Sequence, residues 1–405
     1  TFLAAVAAGR EDEEAGFSGA APDSELVVVK LKRPKQYLLD FYSIRDDVWA
    51  CQEDDVMLAI RYVLDTATAL QRPVSICLGI GTNLGGHGGN GSLERYISQI
   101  SLLPGISVHI ASGNEGISGH HFRGNVPQDQ EFETVEFNVA DGENGFIMEL
   151  WGDAPVNFSV GLISPGGENV ERIQLKRNEF RNIRFFPENT VLQIRSFAGE
   201  TVGGEQVIRM NFRSPSAGLW RLQVYARGTG NRTFNLWMPI TNFLREETFF
   251  VSPEASDTLT SPGDAFYGIT YVPYEVNTES LYVRASQGYT RDGRVKPDLA
   301  APGVNVHIPA PTAVRRPEQD GAQESGGSRR EVSRSGSSVA AAFGAGIGAL
   351  MQEWAIVKEN DLSLNGQNMR FYLIQGAVRS GAYEYPNREW GYGIVNLYDA
   401  FLSMR

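Results

Sequence analysis

Ser338 stands in the run Gly336-Ser337-Ser338-Val339-Ala340-Ala341-Ala342, where serine is followed by small residues of helical habit. Residues 338–356 read as a helix whose alanines and glycines (Ala340 to Ala342, Gly344, Ala345, Gly346, Gly348) let it pack very closely. A serine at such a helix start faces backbone N–H groups without intrahelical partners and the positive end of the helix dipole. That setting suits a nucleophile whose transition state develops negative charge. The same residues also fit a serine that merely caps a well-packed helix. A nucleophilic serine needs a base, and the chain offers His87, His109, His120, His121 and His307. His87 lies in a Gly-rich stretch and reads as solvent-facing, whereas His109, inside an apolar strand, reads as a core imidazole. His120 and His121 are adjacent, so in a strand they face opposite sides, and no third ligand at suitable spacing makes them a metal pair. His307 has no supporting motif. None of the five is assigned to catalysis, and no metal or cofactor is expected.

The elements around Ser338 have an α/β rhythm. Residues 25–32 (ELVVVKLK) contain three consecutive valines and read as a strand covered on both faces, as in a parallel sheet. Residues 54–70 carry Val56, Met57, Ile60, Val63, Leu64 and Ala67 at helical spacing. Residues 73–78 and 106–111 read as further buried strands, separated by a Gly-rich loop at 79–91 and a helix at 93–100. In open sheets of this kind, function collects at the carboxyl ends of the strands. The character changes at residue 128. Up to about residue 240, short β-prone runs alternate with Gly, Pro and Asn turns and no amphipathic helix interrupts them, so an all-β jelly roll or two-sheet sandwich is expected there. The division is therefore 1–127, a first core part; 128–240, an all-β insert; and 241–405, a second core part with the Ser338 helix. Polar residues 309–334 read as a loop.

The 405 residues hold 36 Lys plus Arg against 48 Asp plus Glu, a formal net charge of -12. With no basic stripe to offset that balance, a nucleic-acid partner is not expected. No run of about 18 apolar residues indicates a membrane span. The two cysteines, Cys51 and Cys77, make neither a disulfide framework nor a thiolate zinc site.

Taken together, several segments resemble the subtilisin-like serine proteases. Residues 336–346 resemble that family's nucleophile motif, with Ser337 at its usual Thr position and Ser338 at the nucleophile. Ser112-Gly113-Asn114 resembles its oxyanion motif, which makes Asn114 the side-chain donor. Cys77-Leu78-Gly79 sits at its substrate-binding strand, so that 77–79 and 112–114 would wall the primary pocket. Gly19-Ala20-Ala21-Pro22, the stretch from Ser286-Gln287-Gly288 to Asp298, Ala301-Pro302-Gly303 and Gly391-Tyr392-Gly393 resemble further family segments, in the family's order. The implied fold is an α/β subtilisin-like core with a mostly parallel sheet flanked by helices, carrying the all-β insert. Glu115, after the oxyanion segment, reads as a surface residue. Residues 37–40 and 75–89 (SICLGIGTNLGGHGG) are similar to the germination-associated subtilases of spore-forming clostridia. That group carries a jelly-roll insert, is made with a prodomain and activates a spore-cortex hydrolase proenzyme.

The family triad also needs an Asp and a His, in the order Asp, His, Ser. Residues 1–9 resemble the helix that follows the family histidine, beginning two residues after it. The resemblance thus implies an upstream fragment or prodomain carrying both groups. The function implied is a serine endopeptidase acting through an acyl-enzyme on a protein or peptide substrate, in a spore or secreted compartment. The alternative is a catalytically inactive relative that senses or scaffolds.

Overall fold

The computed structural model describes residues 1–174, 179–199, 204–310 and 331–404. Most of the polar loop expected at 309–334 lies outside the described residues. The chain opens with helices α1 (Phe2–Ala8), α2 (Gln36–Phe41) and α3 (Glu53–Leu70), strand β1 (Val74–Leu78), helix α4 (Ser92–Ile100) and strand β2 (Ile106–Ala111). There follow β3 (His121–Asn125), β4 (Phe132–Val139), β5 (Gly145–Gly152), β6 (Asn157–Ile163), β7 (Asn169–Ile173) and β8 (Phe180–Phe185). Next come β9 (Thr190–Ala198), β10 (Gln206–Arg213), β11 (Gly218–Arg227), β12 (Thr233–Trp237) and β13 (Phe249–Phe250). The last part holds β14 (Ile269–Glu275), β15 (Ser280–Leu281), β16 (Leu299–Pro302), β17 (Val306–Pro309), β18 (Glu331–Arg334), α5 (Ser337–Gln352), α6 (Gly366–Gln375) and α7 (Leu397–Ser403).

Helix α3 begins with Glu53, Asp54 and Asp55, whose charges favour a helix N-terminus. It turns Val56, Ile60 and Ala67 inward, and with α4 it covers one side of β1 and β2, around Ile76, Val108 and Ile110. Helix α5 covers the other side. Its glycines are needed for contact: a Cβ on Gly344 would lie 2.4 Å from the Tyr271 ring, and one on Gly348 would lie 2.3 Å from His109 Nε2. The stretch Ser337–Val357 has the length and apolarity of a membrane span, but 67% of it is buried inside the fold.

The strand pairing corrects the expected fold class. Parallel pairing is confined to β1–β2, β2–β14 and β14–β16. All other pairings among the described strands are antiparallel, in sheets ordered β3-β12-β5-β10-β9-β8 and β13-β4-β11-β6-β7, with β17 pairing β18. A mostly parallel architecture is therefore overturned, since the strands from β3 to β13 outnumber the rest. Residues 25–32, expected as a buried parallel strand, form no regular element, are largely exposed and lie outside every described sheet, with Leu26 at 54% and Val28 at 75% exposure. The outer edge of β1 has no partner among the described strands.

The jelly-roll or sandwich expectation is corrected as well. Strands β8, β9 and β10 run as a consecutive meander. The six-stranded sheet also does not present a free outer face along its centre, because β5 is buried over its whole length. Even-numbered Phe146, Met148 and Leu150 join Ile208, Met210, Trp220 and Phe234 in the apolar core shared by the two antiparallel sheets. Odd-numbered Ile147, Glu149 and Trp151 point the other way, as the two-residue period of a strand requires.

A buried ion network ties β14, β16 and α6 together. Lys296, 1% exposed, donates from Nζ to Asp298 Oδ2 (2.6 Å) and Gly268 O (2.6 Å). Asp298 also accepts from Thr270 N (2.7 Å) and, through Oδ1, from Arg370 Nε (2.6 Å). Burial lowers the Lys296 ammonium to about 8 against the opposing pull of Asp298. Replacing Asp298 by Ala leaves the buried Lys296 ammonium without its counter-ion, with an expected cost of about 3–5 kcal/mol. Urea unfolding of the variant checks this, and a loss below about 1 kcal/mol would refute the network's role.

Candidate active site

Strands β1 and β2 are parallel and end side by side, at Leu78 and Ala111, so the chain leaves both toward the same edge of the sheet. Helix α5 starts there. Its N-terminal flanking residue, Gly336, has φ 146°, a conformation that side chains rarely adopt, and an added Cβ would lie 3.2 Å from Asn114 Nδ2. Two hydrogen bonds clamp the helix start. Ser337 N–H donates to Asn114 Oδ1 (3.0 Å), and Gly113 N–H donates to Ser337 Oγ (3.1 Å). A hydroxyl at position 337 is therefore enough, which accounts for Ser where the resembling motif has Thr. With Oδ1 engaged, Nδ2 is the remaining donor of the Asn114 amide, and Asn114 itself is exposed.

Half-buried Ser338 donates from Oγ to Gly79 O (3.1 Å). Its backbone N–H has no partner among the described residues, as expected in a first helical turn. A Cβ on Gly79 would lie 3.0 Å from Ser338 Cβ, so only glycine lets the β1 exit strand approach this closely. Four of the seven expected site residues, Gly79, Gly113, Asn114 and Ser338, thus line one cleft of about 1040 Å³. The other three turn elsewhere. Cys77 packs beside α1 and α5, with burial pushing its thiol up to about 12. Leu78 lies in the core under α3 and α4, and Ser112 is fully buried.

Glu115 is a correction, since it is buried rather than at the surface. Its carboxylate accepts from Thr241 N (3.0 Å), Thr241 Oγ1 (3.0 Å) and His120 Nδ1 (2.8 Å). Burial alone would raise its carboxyl, but the His120 hydrogen bond and charge hold it below the ordinary range. The residue ties the 112–115 turn to the segment that follows β12. A Glu next to the turn's Asn carries no sequence signal for this, because Thr241, the partner that fixes it, is 126 residues away.

The histidines are all engaged away from Ser338. His87 is 3% exposed, contrary to the solvent-facing expectation. Its ring stacks on Trp237 at 4.0 Å, and its nitrogens face Leu259 O and Asn83 O, both at 2.9 Å. Burial pushes its pKa down. His109 is the expected core imidazole, held by Tyr271 Oη (3.1 Å) and Ser107 Oγ (3.0 Å) and lowered to about 3 by burial. His121 also stacks on Trp237, at 4.8 Å, and is lowered to about 4 by burial. His307 is exposed near Glu331. Among the described residues, no group of three or more His, Cys, Asp or Glu is placed to hold a metal.

The subtilase family model matches residues 191–393, half of the chain, and the chain belongs to that family. Its similarity to one member is extensive. The structure of the Clostridium perfringens CspB protease is 27% identical, with a TM-score of 0.84 over 98% of this chain and 78% of that one. MycP1 with its N-terminal propeptide removed is 13% identical, with a TM-score of 0.38 over 98% of this chain and 77% of that one. No curated protein matches this chain.

Glu94, on the first turn of α4, also lines the cleft and is hydrogen-bonded by Ser261 Oγ. Burial, then the nearby Asp264 charge, raises its carboxyl to about 8. A carboxyl raised on folding holds its proton longer than in the unfolded chain, so it lowers stability as pH rises from the unfolded value to the folded one. Between pH 6.5 and 8 the lowered imidazoles and Asp257, raised by burial to about 6, have largely finished titrating, and Lys296, lowered to about 8, begins to lose its proton only near the upper end, where it offsets part of the fall. Over that window stability is expected to fall by roughly 2 kcal/mol through Glu94. Urea unfolding at both pH values should show the fall, and Glu94→Gln should flatten it. An equal fall in the variant would exclude Glu94 as its source.

Proposed function

We propose that this chain carries the nucleophile and oxyanion site of a serine endopeptidase. The observation that carries the reading is the joint placement of Ser338 Oγ, the free Ser338 N–H and the Asn114 amide at one helix start in one cleft. Ser338 Oγ attacks the scissile carbonyl. Its proton passes to an imidazole and then to the leaving amine, and water hydrolyses the acyl ester. Asn114 Nδ2 and the Ser338 N–H donate to the developing oxyanion, a neutral amide stabilising the charge without trapping the product.

The base and its carboxylate partner come from outside this sequence, because each of its histidines is committed elsewhere or exposed on β17. The unpaired edge of β1 and the exposed apolar residues Leu26 to Val29 support the presence of one further strand there. A prodomain or upstream fragment bearing the Asp and His fits that gap. The substrate is a polypeptide laid along the cleft as an added strand. The similarity to CspB supports a proenzyme, such as a spore-cortex hydrolase, in a spore or secreted compartment.

In the full-length protein, Ser338→Ala is expected to abolish peptide hydrolysis while leaving the unfolding transition unchanged. Asn114→Ala should lower kcat by about 10²–10³-fold with little change in KM. Hydrolysis that survives the Ser338 substitution in a pure sample would reject the proposal. No hydrolysis by the full-length wild-type protein would favour an inert sensing or scaffolding relative.

A further inference from the structure

Residues 79–91, one wall of the cleft, contain seven glycines, Gly79, Gly81, Gly85, Gly86, Gly88, Gly89 and Gly91. A stretch so rich in glycine loses more backbone entropy on ordering than any other composition, so its shape has to be imposed by its neighbours. Some of the restraints come from the core. Thr82 pairs with Ser261 through N–H···O bonds of 2.9 Å in both directions, and Gly89 N–H donates to Asp264 Oδ2 (2.7 Å). The middle of the wall is held differently, by the cleft-facing side of β5. Glu149 Oε2 accepts from Gly85 N–H (3.0 Å) and from Trp151 Nε1 (3.1 Å). Its Oε1 accepts from Arg209 Nε (2.8 Å) and Nη2 (2.7 Å), across the β5–β10 ladder. The Trp151 ring lies against Gly86, where a Cβ would be 3.2 Å away, and Arg291 Nε donates to Gly86 O (2.8 Å).

Glu149 is fully buried, and every bond to its carboxylate is a donated N–H. A carboxylate is the only side chain of this length that accepts on both oxygens. We infer that Glu149 is a positioning residue for substrate binding: from the antiparallel sheet it sets the shape of the Gly-rich wall that begins beside Ser338. This rests on the reading of the cleft as a protease site. The chemistry at Ser338 and Asn114 does not pass through Glu149, so its loss falls on the binding of extended polypeptide rather than on the chemical step.

Glu149→Gln is the discriminating variant. Its amide nitrogen would face either Arg209 or the Gly85 and Trp151 donors, while side-chain volume is kept. In the full-length protein, hydrogen exchange at residues 84–89 should accelerate at least about tenfold, with β1 and β2 protected as in the wild type. KM for a peptide long enough to fill the cleft should rise about tenfold, with kcat and the turnover of a small ester within twofold. Trp151→Phe, which keeps a ring on Gly86 and removes one donor, should change both readouts less. Unchanged exchange at 84–89, a fall confined to kcat, or faster exchange with an unchanged KM would each overturn the inference. If the wild-type protein hydrolyses no peptide, the protease reading fails by itself. Exchange at 84–89, together with the dissociation constant of the same peptide for the Ser338→Ala protein with and without Glu149→Gln, then decides the role of Glu149.

Discussion

The site depends on how the start of α5 is held. A helix N-terminus leaves several N–H groups without partners, and burying them all would be costly. Here one is satisfied by the Asn114 Oδ1 and another is left open at Ser338, inside a cleft. The return bond from Gly113 N–H to Ser337 Oγ locks the 112–114 turn to the helix, so neither moves without the other. Serine, amide and open N–H are therefore set by one small network, and the conformation of Gly336 leaves the space that the amide occupies.

Everything beneath that network serves to hold α5 in place. The helix lies against β1, β2 and β14 at distances only glycine and alanine allow, and Tyr271 and His109 fill the spaces left by its missing side chains. Close-packed interiors yield little to displacement. A helix wedged in this way is a rigid support for a group that must be placed to within a fraction of an ångström. The cost is that α5 tolerates almost no enlargement along its buried face.

Much of the site was readable, because its signals are local. The small-residue helix, the serine at its start and the strands before residues 79 and 112 all declare themselves within a few neighbours. The failures are those of non-local partnership. The run at 25–32 has the composition of a buried strand, yet strand burial depends on a neighbour, and none of the described strands pairs with it. In the sequence Glu115 and His87 read as exposed, because nothing adjacent to them indicates Thr241 or Trp237. The predominance of antiparallel pairing is hidden in the sequence for the same kind of reason. Period-2 runs announce strands but do not reveal that β5 is needed on both faces.

That double use of β5 is what joins the two kinds of sheet into one site. Its even-numbered side chains are apolar and close the core between the antiparallel sheets, and so do those of β10. The odd-numbered side chains Glu149, Trp151, Val207 and Arg209 form a polar and aromatic surface turned to the cleft. A strand with one solvent face would show clean alternation of apolar and charged residues. The sequence GFIMELWG shows a lone carboxylate among apolar residues instead. A fully buried carboxylate persists only where it is well supplied with donors. The donors of Glu149 come from both sides of the boundary, from Arg209 and Trp151 within the sheet and from Gly85 across it, so this one side chain records how the antiparallel sheet and the Gly-rich wall were built to fit each other.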